Sequence, residues 1–150
     1  IEDVKIYEPV EAVVDIRILL QGGALPSETF CSGCLQYLKD NPIIPLTDNN
    51  YVLPPDVVGY DLKATYYISR SDINNVKSIQ DSIEAAKDTY LNWQRPKIGR
   101  DLNPDALIEF VRAAGGKRCV IESPVFTVIP ETSVAQEKTV EFVYGGIEDD

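Results

Sequence analysis

Along residues 12–20 the even positions Val14, Ile16, Ile18 and Leu20 are apolar, while Asp15 and Arg17 fall on odd ones. Alternation with a period of two predicts a strand with one face in a core and the other toward water. Gln21-Gly22-Gly23 ends it. The period then lengthens, and Phe30, Cys31, Cys34, Leu35 and Leu38 recur at helical steps. Ser27 is placed to cap that helix and Glu28 to meet its positive end, with Asn41-Pro42 as the stop. A short strand over residues 51–53 follows, cut off by Pro54-Pro55, a pair that no central strand tolerates.

Beyond the prolines, Tyr60, Leu62, Ala64, Tyr66 and Ile68 share one face of a second, longer strand, and Asp61, Lys63, Thr65 and Tyr67 take the other. Asp72 is the expected N-cap of the longest helix, whose stripe of Val76, Ile79, Ile83, Ala86, Tyr90 and Trp93 should face the core. Asn103-Pro104 opens a third helix as N-cap and first residue. Leu107, Ile108, Val111 and Ala114 face inward along it, and Gly115-Gly116 offers a left-handed close. Strands around residues 118–121 and 138–144 complete the pattern. The expected class is α+β. Residues 1–11 read as a lead-in from a preceding domain, 12–55 as a small βαβ unit, 56–146 as a larger βααββ unit, and 147–150 as a frayed acidic tail.

Composition narrows the chemistry. The 150 residues are 44% hydrophobic and 25% charged, the balance of an ordinary folded domain, and no run of about 18 apolar residues is available to span a bilayer. Asp and Glu total 24 against 14 Lys and Arg, a net charge of −10, so phosphate backbones and anionic lipid are repelled and neither nucleic acid nor membrane is expected as a partner. Histidine is absent, which removes the commonest general base and metal ligand together. No phosphate loop is present, and Gly22-Gly23 lacks the further glycine of a dinucleotide turn. The chain is therefore expected to be no enzyme and to hold no cofactor. It starts Ile1-Glu2-Asp3 without a secretory pattern, which reads as a piece of a longer protein. Three cysteines make no disulfide framework, so a reducing, cytoplasmic site of synthesis is the simpler expectation.

Phe30-Cys31-Ser32-Gly33-Cys34 has the spacing of a thioredoxin-like redox site. Such a site needs its first thiol at the free amides of a helix start. Ser27 as N-cap instead puts Cys31 a full turn inside, on the core face with Leu35 and Leu38, where a thiol packs as a small hydrophobe. Cys119 is the only other soft ligand, too few for structural zinc. Among the remaining side chains, Tyr67 on the outer strand face is an interface candidate, because tyrosine offers a large stiff surface with a polar tip. Val125-Phe126-Thr127-Val128-Ile129 is another, since its alternation turns either Phe126 and Val128 or Val125 and Ile129 outward.

Several segments, taken in order, resemble the baseplate J family of contractile-tailed phages. They are Ile44-Pro45-Leu46-Thr47-Asp48, then Val52-Leu53-Pro54-Pro55, then Tyr60-Asp61-Leu62-Lys63-Ala64-Thr65-Tyr66-Tyr67-Ile68. Ile98-Gly99-Arg100-Asp101-Leu102-Asn103-Pro104 and Gly116-Lys117-Arg118-Cys119-Val120-Ile121-Glu122-Ser123-Pro124 follow. Ile44 stands where the family usually has Arg, and Lys117 where Val is common. The similarity runs over residues 12–146. It implies a structural protein of the tail baseplate wedge, made in the bacterial host cytoplasm and resident in the virion tail. Its partners would be copies of itself and other wedge proteins, and its role would be to help convert host contact into sheath contraction. The family also occurs in tailocins and related injection machines. Tyr67, Phe126 and Val128 are then the expected interface residues. The runner-up is a thiol-disulfide oxidoreductase using Cys31 and Cys34, and a small carbohydrate- or peptide-binding module is a third reading.

Overall fold

A computed structural model describes residues 1–10, 13–41 and 49–150. The expected α+β class is what it contains: two three-stranded sheets, each with helix on one face. The Ile44-Pro45-Leu46-Thr47-Asp48 segment and the stop at Pro42 lie outside the described residues.

The first sheet has the order β1 (Asp3–Tyr7), β2 (Val13–Leu19), β3 (Asn49–Leu53). β1 runs antiparallel to β2, while β3 runs parallel to it by way of α1 (Glu28–Asp40). The residues expected as a lead-in thus supply a strand, and the small unit is ββαβ. Ser27 caps α1 as expected, its hydroxyl accepting from the Phe30 amide at 3.1 Å. Ile16, Ile18, Cys31 and Val52 form the small core between sheet and helix.

Pro54-Pro55 is the seam, and Arg17 fastens it. From the opposite face of β2 its guanidinium grips Asp15 at 2.6 and 2.9 Å and donates to the Pro54 carbonyl at 3.1 Å, close to Asp56. Across the seam, β4 (Asp56–Ser69) is the centre of the second sheet, between β5 (Arg118–Ser123), antiparallel, and β6 (Ser133–Glu148), parallel. All five apolar residues of the predicted β4 face are buried. They pack under α2 (Val76–Gln94) and α3 (Pro104–Ala113), with Ile83, Tyr90, Leu107 and Val111 sealed between.

Several expectations need correction. Asp72 does not cap α2. It sits inside a 3-10 turn, Arg70–Asn75, that runs straight into the helix at Val76, so Asn75 occupies the cap position. Trp93 ends the α2 stripe half-exposed, under the Arg100 guanidinium at 4.1 Å and edge-on to Phe110, while Leu91 and Gln94 are buried instead. β6 is longer than predicted at both ends. The acidic tail is not frayed: Glu148 pairs with Arg118 and Lys117, Asp149 with Arg70, and Asp150 accepts from the Ser71 hydroxyl at 3.1 Å. The basic side chains of Arg70, Lys117 and Arg118 draw in these carboxylates.

Candidate functional site

The Cys31 amide already donates to the Ser27 carbonyl at 3.0 Å, so its thiol lies beyond the free amides of the helix start. Burial, and next the neighbouring Cys34, push the Cys31 thiol up from its ordinary range. That is opposite to what an attacking thiolate requires. Cys119 lies under the larger core, where burial raises it to about 11. Among the described residues, no group of three or more His, Cys, Asp or Glu side chains is placed to hold a metal ion. No helix among them is long and apolar enough to cross a membrane.

Buried tyrosines give no better base. Tyr60 and Tyr90 bury their hydroxyls without a protein partner among the described residues. Burial, reinforced by the nearby Glu137 charge, holds both phenols protonated, Tyr90 at about 12. Gln94 beside them donates to the Arg100 carbonyl at 3.1 Å. These groups are sealed in the interior.

Uncovered apolar surface is more informative. Tyr67 does point to the outer sheet face, but its ring is partly covered. It lies across Gly145, where any Cβ would overlap it, and beneath the Arg118 guanidinium at 4.2 Å from the ring centroid. A ring so packed is a poor free anchor. Phe126 and Val128 point outward, as one of the two alternations required, and are 59% and 68% exposed. Val125 is outward as well, because the segment is a loop rather than a strand. Thr127 alone pairs with Leu102, and the Ile129 amide donates to Asp101 at 2.8 Å as its side chain turns into the core.

An apolar recess in the small unit takes in Cys34 of the runner-up thiol pair, and none of the expected interface residues lies in it. It is a groove of about 520 Å³ floored by Ile16 and Ile18 of β2, with Val4 and Ile6 of β1 on one side and Phe30, Gly33 and Tyr37 of α1 on the other. Its cause is geometric. One helix cannot cover three strands about 5 Å apart; α1 packs over β2 and β3 and leaves β1 bare on that face. The Val4 and Ile6 alternation was the available sequence signal.

A scan against protein-family models and a search of curated protein sequences found no match to this chain. The surface chemistry and the ordered motifs therefore carry the functional argument.

Proposed function

We propose that the chain is a structural component of a contractile-tail baseplate, of a phage or of a related particle such as a tailocin. It acts in assembly of the wedge and in passing host contact on to sheath contraction. The observation that carries this reading is the ordered series of baseplate J-like segments from Pro45-Leu46-Thr47-Asp48 through Tyr60–Ile68 to Gly99-Arg100-Asp101 and Gly116–Pro124. Two features of the fold support it. Two small sheet units are locked at a proline seam, which suits a bracket that holds neighbours. Apolar surface stays uncovered on both units, as expected of a subunit that meets partners.

The partners in this reading are other copies of the chain and other wedge proteins, met at the tail baseplate after synthesis in the host cytoplasm. Phe126 and Val128 are the surface the larger unit offers to a wedge neighbour. No catalysis and no cofactor is assigned. A net charge of −10 keeps free subunits soluble before assembly.

The test is genetic. The gene is deleted from a strain that releases contractile particles and restored in trans. Loss of assembled tails, recovered on restoration, is expected; unchanged particle yield and contraction would remove the reading.

A further inference from the structure

We propose that the groove between β1 and α1 is a twofold interface, in which a second copy of this chain lays its own α1 against the bare β1 face. The inference rests on the assembly reading for its biological purpose, and on separate observations for its geometry.

The first observation is the uncovered face. Val4 and Ile6 are 44% and 57% exposed although they share a sheet face with the buried Ile16 and Ile18. The second is the edge of α1 that borders it. Phe30, Gly33 and Tyr37 follow at steps of three and four, so they line one side of the helix. Phe30 and Tyr37 are exposed knobs on either side of a notch.

Gly33 makes that notch, and nothing among the described residues explains it. It sits in the middle of α1, where glycine destabilises a helix relative to alanine. Its backbone does not have the positive φ that favours glycine, and a Cβ there would meet nothing within 4 Å. A bare backbone facing open space is where another helix can approach closely.

The same edge specifies its partner. A twofold axis near Gly33 brings Phe30 of one antiparallel α1 beside Tyr37 of the other and sets each helix over the other copy's β1. Knob and recess lie side by side on one surface, which is the self-complementarity that an isologous interface needs. The groove is lined by no charged side chain, so the acidic net charge of the chain is kept off the contact. Val4, Ile6, Phe30 and Tyr37 leave on the order of 400 Å² uncovered, given the sizes of such residues. That is about half of the roughly 800 Å² per partner of a standard interface, the size of a weak, reversible contact.

Sedimentation velocity on the intact chain over a concentration series tests this. A reversible monomer–dimer equilibrium is expected, with Gly33→Leu and Ile6→Glu each raising the dimer Kd about tenfold or more. Val120→Glu puts the same charge on the exposed sheet face of the larger unit and should leave the equilibrium unchanged. Gly33→Leu installs a better helix former in open space, so the thermal melt of the monomer should be kept or raised, which separates lost contact from lost fold. A chain that stays monomeric throughout, a dimer indifferent to both groove variants, or equal weakening by Val120→Glu overturns the interface. A monomer that still enters contractile particles removes this interface alone, while a dimer found in no such particle removes the assembly reading alone.

Discussion

Cys119 and Tyr90 are sealed in the larger core, and burial is the first cause of their raised pKa values, about 11 and about 12. In the unfolded chain these groups ionise nearer 9.0 and 10.0. Between the two values the native state binds more protons than the unfolded one, so stability falls as pH rises. Tyr60 shifts in the same direction for the same reason. Their contribution is fully present below pH 9 and is lost as pH climbs through 11 and 12. Thermal melts should therefore show Tm falling across that alkaline range, with tyrosinate absorbance rising together with unfolding. A flat Tm through the range contradicts the burial of these groups. Core packing has its own residue-scale test. Ile83 is fully buried between α2 and the sheet, so Ile83→Ala should cost about 2–5 kcal/mol in denaturant titration.

At the scale of elements, α3 shows most directly how local sequence makes structure. The Asn103 side chain accepts from the Asp105 amide at 3.0 Å, and Pro104 fills the first turn. At the other end, the Gly115 and Gly116 amides bond back to Arg112 and Val111, with Gly115 at φ +107°. Asn103→Ala should lower stability by about 1 kcal/mol with an unchanged denaturant slope; no loss would mean the cap is idle. These ends were legible because each uses a local signal. So was the buried β4 face, where five apolar residues alternate without a break. β1 was harder to read, because Val4 and Ile6 alone do not distinguish a strand from a linker and only pairing with β2 decides. Asp72 misled because acidic residues favour both caps and turns. The groove was out of reach for a further reason: periodicity identifies an apolar face but not which helix fails to cover it.

On the scale of the whole molecule, the two units are joined by more than the chain. Leu19 of β2 packs with Ile98 and Val134 of the larger unit, and Leu19 and Val134 are fully buried. Polar contacts frame that cluster: Asp3 accepts from the Ile98 amide at 2.7 Å, Gln136 donates to the Gly23 carbonyl at 2.6 Å, and Arg95 pairs with Glu137. The chain should then unfold in one transition, with Trp93 fluorescence and far-ultraviolet circular dichroism coincident. Leu19→Ala, which empties the joint, should cost about 2–5 kcal/mol and separate the two probes. A rigid joint of this kind is what a bracket between neighbours needs. The proposed place of the chain as a built-in part of a contractile particle can be read from quantitative mass spectrometry of purified, intact particles. The chain should be present in a fixed ratio to the sheath and baseplate proteins of the same particles, and that ratio should survive high-salt washing. Its absence from washed particles, while it is abundant in the producing cells, would contradict the account.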